Sequence, residues 1–240
     1  MTRVRDRSKA KIQEAGRADG YDCDWDDLPA RITSMKPTKQ YILDKALALF
    51  NEKGFVNVRL QHIADNAFVS VGHLAYHFKN KEELILSLYK KLKKKQELLL
   101  TEFRVLPLFE DTDFLLRNVF RLQLQFRFFY LDTLEVLRAF PEIAEKHRQL
   151  LRFQRQQIQF MLEFNTSRGS FSQPLFETQF AGIAHIFCLT MDNWLSYQFI
   201  NGNDPVDENA FCSDLWSILQ SLFTDMGIPE FRQLGIKGIE

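Results

Sequence analysis

Apolar residues recur at helical spacing along most of the chain from residue 38 onward. The first stripe, at intervals of three and four residues, contains Tyr41, Ile42, Ala46, Leu49 and Phe50. Gly54 follows it as a glycine that ends a helix. Further stripes predict short helices near residues 60–67 and 71–78, and a long helix from Lys81 to about Val105. Asn80 is expected to cap this long helix, because Glu83 lies at capping-box spacing.

The remaining sequence alternates helical stripes with clear stops. A run that begins near residue 111 extends to 125 or to 139, and a loop is expected at 166–170. Stops at residues 201–205 and 227–229 end the last two predicted helices. The later helices are predicted at 141–165, 174–200 and 206–226. Since neither an alternating strand pattern nor an internal repeat is present, the pattern predicts an all-α fold.

Composition agrees with a helical globular protein. Of 240 residues, 45% are hydrophobic and 26% charged, with only 10 Gly and 7 Pro to break helices. Cys23, Cys188 and Cys212 are far apart, which argues against a disulfide framework or a zinc ribbon and favours a reducing compartment. Neither a secretory signal nor an apolar run long enough to span a membrane is recognisable, so the sequence predicts a soluble cytoplasmic protein.

The neutral net charge conceals an asymmetry. Residues 36–100 carry twelve Lys and Arg against six Asp and Glu, whereas residues 101–240 carry twelve against eighteen. A basic segment joined to an acidic helical remainder indicates a nucleic-acid-binding module attached to a domain with another task. The alternative is that the lysines between Lys90 and Lys95 only solvate one exposed helix face.

The two short predicted helices and the turn between them form a helix-turn-helix unit. Its residues 63–85 read IADNAFVSVGHLAYHFKNKEELI. In such a unit the first helix braces against the DNA backbone and the second enters the major groove. This arrangement resembles the N-terminal motif of the tetracycline-repressor (TetR) family. The positions that match in register are Ile63, Ala64, Ala67, Val69, Ser70, Gly72, Leu74, His77, Phe78, Lys81, Glu82, Glu83 and Leu84.

Two positions depart from the family pattern. Phe68 stands where the turn usually has glycine, so a bulky residue is expected in an unusual turn or in the left-handed region. Ala75 replaces a common aromatic residue. The resemblance implies an all-α protein with an N-terminal three-helix DNA-binding module joined to a C-terminal helical domain for effector binding and dimerisation.

The helix-turn-helix geometry predicts which side chains face DNA. Val71, Gly72, His73 and Tyr76 are expected on the groove side of the recognition helix, and His77 and Lys81 near phosphates. The predicted contacts are Arg59, Ser70, Val71, Gly72, His73, Tyr76, His77 and Lys81. His73 and His77 also have the i, i+4 spacing of metal ligands, but phosphate contact explains them without a metal. No metal, cofactor or catalytic residue is predicted.

The later helices supply candidates for an effector site and a dimer interface. Residues 128–158 resemble the regulatory domain of a TetR subgroup, and amides interspersed with aromatic residues suit an amphipathic ligand. The predicted ligand-binding residues are Phe120, Gln123, Phe126, Phe129, Gln157, Met161 and His185. Wide apolar faces on the last two helices predict a four-helix-bundle homodimer. Its predicted residues are Phe180, Phe187, Met191, Trp194, Leu195, Leu215, Trp216 and Leu219.

The sequence therefore predicts three segments: a weakly organised extension at 1–35, a DNA-binding domain at 36–82, and a ligand-binding and dimerisation domain at 83–240. The extension is either a basic arm that contacts DNA or sequence upstream of a start at Met35. The expected function is a transcriptional regulator, a repressor released from a palindromic double-stranded DNA operator by an apolar or amphipathic effector. The alternative is an all-helical enzyme or apolar-ligand carrier without a DNA role.

Overall fold

The computed structural model describes residues 38–103 and 105–236, and the predicted extension at 1–35 lies outside these ranges. Within them the fold is all-α, as predicted, and one isolated antiparallel bridge pairs Phe171 with Phe223. The helices are α1 Lys39–Lys53, α2 Leu60–Asn66, α3 Val71–His77, α4 Lys81–Phe103, α5 Phe109–Gln125, α6 Arg127–Leu131, α7 Thr133–Ala139, α8 Pro141–Ser167, α9 Gln179–Ile200, α10 Glu208–Leu219 and α11 Gly227–Gln233.

The first four helices form where the sequence predicts them, and their ends show why. Gly54 adopts φ +76°, the left-handed conformation in which glycine ends a helix. The side chain of Ser70 accepts a hydrogen bond from the His73 amide at 3.1 Å, which caps α3. The Asn80 side chain accepts the Glu83 amide at 2.8 Å and caps α4, which confirms the predicted cap.

The run with two possible ends stops at the first of them, because α5 ends at Gln125 and the chain leaves helical geometry at Phe126 and again at Asp132. Two other boundaries in the later part of the chain differ from the prediction. The helix expected from residue 174 begins only at Gln179, whose side chain accepts the Leu175 amide at 2.6 Å. The stop expected at 227–229 is instead the start of α11.

The error at α11 has a simple cause. Gly-Ile-Pro reads as a helix stop, yet Pro229 falls in the first turn of α11, where its missing N–H has no intrahelical partner to lose. The preceding helix α10 ends at Leu219 and continues as a short 3-10 helix over residues 220–222.

The buried side chains form two hydrophobic clusters. The first contains residues of α1 to α4 together with Leu122, Phe126, residues of α6, and Val136, Ile143 and Leu195. The second is built mainly from α5, α8, α9 and α10. The first cluster thus continues across the predicted domain boundary at residue 82, so the DNA-binding helices share their core with α6.

The described ranges hold no helix that meets both the length and the apolarity needed to cross a membrane.

Packing around Gly227 generates the first prediction. A Cβ atom at this position would lie 2.2 Å from the backbone oxygen of Ser170, which cannot move without shifting the loop before α9. We therefore expect Gly227→Ala to lower the free energy of unfolding by about 2 kcal/mol or more, measured by thermal or chemical denaturation.

Gly182 is the matched control, since a Cβ atom there meets nothing within 4 Å and the residue lies inside α9. Gly182→Ala should stabilise the protein by roughly 0.5–1 kcal/mol through its helix propensity. Equal effects of the two substitutions would contradict the packing argument.

Candidate DNA-binding surface and ligand cavity

The recognition helix α3 turns one side inward and the other to solvent. Leu74 is fully buried in the first cluster and anchors the helix. Val71, Gly72 and Tyr76 are exposed on the remaining surface, and the Tyr76 side chain is 84% exposed. A large aromatic side chain in solvent on this helix is available to contact a ligand as large as DNA.

The two histidines of α3 are partly buried and contact each other. The rings of His73 and His77 meet edge to face with centroids 5.2 Å apart, and Tyr76 meets His77 in the same way at 5.1 Å. No group of three or more potential metal ligands occurs within the described ranges. The pair thus forms part of one aromatic surface together with Tyr76.

The two predicted basic contacts have different surroundings. Arg59 is exposed at the start of α2. The Lys81 ammonium group instead donates a hydrogen bond to the backbone oxygen of Phe55 and lies 4.2 Å from the centre of the Phe55 ring. Burial lowers the pKa of Lys81, although Asp132 opposes this effect. Lys81 therefore joins α4 to the segment before α2, and its charge is already engaged within the protein.

The turn between α2 and α3 contains the residue that departs from the family pattern. Phe68 adopts φ +54°, which confirms the left-handed geometry expected for a bulky residue at this turn. Its side chain is 88% exposed, so burial does not offset the backbone strain of about 1–2 kcal/mol. The turn keeps its geometry through the Val69 amide, which donates to the Ala64 oxygen at 3.0 Å.

A cavity of about 360 Å³ lies between α6, α7, α8 and α9. This volume is at the small end of the range for small-molecule sites, roughly 300–1,000 Å³. Aromatic and aliphatic side chains form most of its wall, and several polar groups converge on it. Its lining is Phe129, Tyr130, Thr133, Leu137, His147, Leu151, Arg152, Arg155, His185, Cys188, Leu189, Asp192 and Asn193.

Asp192 is the acidic group of this cavity. Gln154 donates a hydrogen bond to its carboxylate at 3.0 Å, and no ion pair with Asp192 occurs within the described ranges. Burial of the carboxyl group raises the pKa of Asp192 to about 7. The same burial, reinforced by Asp192, raises the pKa of the Cys188 thiol to about 12, so Cys188 stays neutral.

His147 is a second polar group in the lining of this cavity. Its ring meets Phe129 edge to face at 5.2 Å and Tyr89 at 6.1 Å, and burial lowers its pKa to about 4. The buried Nδ1 atom has no hydrogen-bond partner among the described residues. At neutral pH this imidazole is therefore an uncharged aromatic ring in the cavity wall, and its Nδ1 atom makes no hydrogen bond to the described residues.

Only part of the predicted ligand set lines this cavity. Phe129 and His185 lie in its wall. Phe120 packs against Trp194 and Phe211 in the second cluster, and the Gln123 amide donates to the Met191 oxygen at 2.8 Å. The three other residues are buried away from this lining: Phe126, Gln157 and Met161.

The sequence does contain a signal for the residue that the prediction missed. In the α9 sequence QFAGIAHIFCLTMDNWLSYQFI, Asp192 is the only Asp, Glu, Lys or Arg. A single carboxylate in so apolar a helix either pairs internally or serves a ligand. The aromatic and amide pattern used for the prediction selected Phe129 and His185 of the lining together with five residues outside it.

All eight residues predicted for the dimer interface are buried in the protomer itself, from Trp216 at 0% exposure to Phe180 at 7%. A side chain that already fills the core offers no surface to a second subunit. The wide apolar faces of α9 and α10 instead pack within the protomer, in the second cluster with α5 and α8. The free apolar surface of α9 is a different stripe, formed by Ile186, Leu189, Tyr197 and Ile200, which are 53–80% exposed.

Helix α6 connects the cavity with the DNA-binding helices. Phe129 and Tyr130 line the cavity, whereas the Phe128 amide donates to the Asn51 side chain at 3.0 Å. Asn51 in turn donates to the Gln125 oxygen at 2.9 Å. Immediately after α6, the carboxylate of Asp132 accepts the Phe55 amide at 2.6 Å. One short element thus contacts the end of α1 and the cavity at the same time.

Two family models match the chain. One, described as bacterial regulatory proteins of the tetR family, matches residues 42–88, and the other, described as a bacterial transcriptional repressor of the TetR type, matches residues 82–227. The join between the two matches falls within α4, the helix that follows the recognition helix.

Curated relatives match in the N-terminal part only. A probable HTH-type transcriptional regulator, YttP of Bacillus subtilis, is 44% identical over 48 residues, which are 20% of this chain and 23% of that protein. The transposon Tn10 TetC protein of Escherichia coli is 39% identical over 57 residues, 24% of this chain and 29% of that protein. The alignment thus spans less than a third of the length of either relative.

Solved structures extend the similarity to most of the chain. A TetR-family transcriptional regulator from Marinobacter aquaeolei has a TM-score of 0.75 and 25% identity over 83% of this chain and 97% of that one. The regulator FadR from B. subtilis, in complex with stearoyl-CoA, has a TM-score of 0.58 over 77% of this chain and 100% of that one. At 20% sequence identity, this similarity shows only that the two proteins share a fold.

The raised pKa of Asp192 generates the second prediction. The folded protein holds this proton up to about pH 7, whereas the unfolded chain releases it near pH 3.8. Stability should therefore fall as pH rises from about 4 to 7, because the unfolded state binds fewer protons in this window. Asp192→Asn removes the penalty and should raise the free energy of unfolding at pH 8 by on the order of 2 kcal/mol.

Denaturation of both proteins at pH 4 and pH 8 provides the test. The difference between wild type and Asp192→Asn should be small at pH 4 and large at pH 8. Asp225→Asn, at an exposed site, is the control and should change stability by less than about 0.5 kcal/mol at either pH. A pH-independent difference for Asp192→Asn would contradict the assignment of a partly buried carboxyl group without an ion pair.

Proposed function

Since the chain belongs to the TetR family of bacterial transcriptional regulators, we propose that it is a repressor that binds a palindromic operator and leaves it when a small molecule occupies the cavity beside Asp192. The observation that carries this proposal is α6, which contacts both the cavity and the end of α1. The protein acts by binding DNA and effector, without a catalytic step.

The DNA-binding part of the proposal rests on the exposed side of α3. Tyr76 and Val71 supply aromatic and aliphatic surface to base edges and thymine methyl groups, and the exposed Ser70 lies at the helix N-terminus beside phosphates. Arg59 adds a phosphate contact from α2. Lys81 contributes by holding the module together, because its ammonium group is bound to the Phe55 oxygen.

Release by an effector follows from the contacts of α6 and α4. A ligand that displaces Phe129 or Tyr130 shifts α6, and α6 is hydrogen-bonded to Asn51 at the end of α1. From α4, Gln96 donates to the Tyr130 hydroxyl at 2.9 Å. A ligand that prefers one arrangement of these helices changes the population of the DNA-competent form by its difference in affinity for the two states.

A homodimer places two recognition helices on one operator. The exposed stripe Ile186, Leu189, Tyr197 and Ile200 runs at three- to eight-residue intervals along one side of α9. An exposed apolar surface of this kind is typical of a protein interface. Paired across a two-fold axis, the stripes give a symmetric dimer that matches a palindromic site, with half-sites about one helical turn, ~34–36 Å, apart.

The test of the DNA proposal begins with selection of bound genomic fragments by the wild-type protein. Tyr76→Ala should then reduce the affinity for the selected site by about 1–3 kcal/mol, while binding to unrelated DNA stays nearly constant. Fluorescence anisotropy on labelled duplexes at several salt concentrations measures both quantities.

Phe114→Ala on α5 is the matched control, since this aromatic side chain is 62% exposed and far along the chain from α3. It should bind the selected site like wild type. If the wild-type protein bound every fragment only weakly and without preference, the regulator proposal would be rejected.

The dimer proposal makes a separate prediction. Ile186→Glu should place a charge in an apolar interface, shift the protein to monomer in sedimentation analysis, and weaken operator binding. Leu134→Glu on α7 changes an aliphatic residue of comparable exposure outside the stripe and should leave the oligomeric state unchanged. A wild-type monomer at micromolar concentration that still binds the operator tightly would disprove the dimer.

A further inference from the structure

The charged and aromatic groups around the cavity favour a ligand of one sign of charge. This inference rests on the effector role proposed above. Asp192 is the only Asp, Glu, Lys or Arg of its helix, and its only hydrogen-bond donor among the described residues is the neutral amide of Gln154. A partly buried carboxylate of this kind lacks the cation that would stabilise its charged form.

The cavity wall next to this carboxylate is aromatic. Phe129 and His147 meet edge to face at 5.2 Å, and the Tyr130 ring lies in the same lining. His147 carries no charge at neutral pH, since burial lowers its pKa to about 4. Faces of neutral aromatic rings attract cations and repel anions. The aromatic wall and the carboxylate therefore both favour a positively charged ligand.

The other charged groups of the lining lie at its outer side. Arg152, Arg155 and His185 are exposed, and Arg152 has Glu145 as a partner at 3.7 Å. The charge of Arg155 acts on the Cys188 thiol and is not among the influences on the Asp192 pKa. Solvent screens the two exposed guanidinium groups, whereas the Asp192 side chain is partly buried.

We propose that the effector is a small organic monocation, whose protonated amine pairs with Asp192 and whose apolar body lies against Phe129 and His147. The volume of about 360 Å³ suits a molecule with one aromatic ring or a short branched alkyl body. The amine supplies the missing counter-charge, and Gln154 keeps the second side of the carboxylate satisfied.

Three probes of matched shape test the sign of the charge: 2-phenylethylamine, 2-phenylethanol and 3-phenylpropanoate. Titration calorimetry of the full-length wild-type protein at pH 8 measures their affinities. We expect the amine to bind about tenfold or more tightly than the neutral alcohol, and the carboxylate to bind more weakly than both. Tightest binding of the carboxylate would overturn the proposal in favour of the outer arginines.

Asp192→Asn separates the carboxylate from the rest of the cavity. It preserves size and the hydrogen bond with Gln154, and it should lower the amine affinity about tenfold while leaving the alcohol unchanged. Asp225→Asn, at an exposed site, should bind all three probes like wild type. Equal amine affinities for wild type and Asp192→Asn would overturn the proposal.

The pH dependence of amine binding is an independent measurement. The pKa of Asp192 is about 7. Cys188 and Tyr130, which are both neutral in this range, line the cavity with it. The other groups that face it are Gln154 and His147 of α8 and, at the outer side, Arg152, Arg155 and His185. Amine affinity should rise severalfold from pH 6 to pH 8 as the carboxyl group ionises, and the affinity of the alcohol should not. A flat profile for the amine would contradict its pairing with Asp192.

Failure of this inference is distinguishable from failure of the proposed function. If the amine binds but does not release the selected operator fragment, the cavity has the predicted charge preference and the effector mechanism fails. If none of the probes binds while the operator is still recognised, the DNA-binding role stands and the assignment of a cationic ligand is rejected.

Discussion

Burial of α6 on both of its sides is the constraint on which the arrangement of the helices depends. Phe128 packs against Phe50 at 5.4 Å on the side of the DNA-binding helices, and Phe129 packs against Tyr89 and His147 on the side of the cavity. The five residues of α6 thus pack against the DNA-binding helices on one side and the cavity on the other. Neither side can repack without exposing aromatic surface. The first hydrophobic cluster is consequently continuous from α1 to α8.

The N-terminal module was predictable because local signals set each of its boundaries. Gly54, Ser70 and Asn80 end or cap their helices through contacts within four residues, so the sequence alone contains the necessary information. The strained Phe68 was recognisable for the same reason, since a turn that usually needs glycine holds a bulky residue there.

The later part was less predictable because distant contacts decide it. The break at Phe126 coincides with two hydrogen bonds of Asn51, which accepts the Phe128 amide and donates to the Gln125 oxygen, although it lies 77 positions before Phe128 in the chain. Apolar width on α9 was interpreted as a dimer surface, yet Phe187 and Trp194 are needed to fill the protomer's own core. Periodicity shows that a face is apolar and does not show what covers it.

Leu189 lies both in the cavity lining and in the exposed stripe of α9. In the proposed dimer, the same side chain borders the ligand and the neighbouring subunit, so the two binding equilibria share a group and are thermodynamically linked. A ligand that moves Leu189 outward loosens subunit association, and dilution of the protein alters the apparent ligand affinity in turn. Dose-response curves for such a regulator then shift with its cellular abundance as well as with the effector.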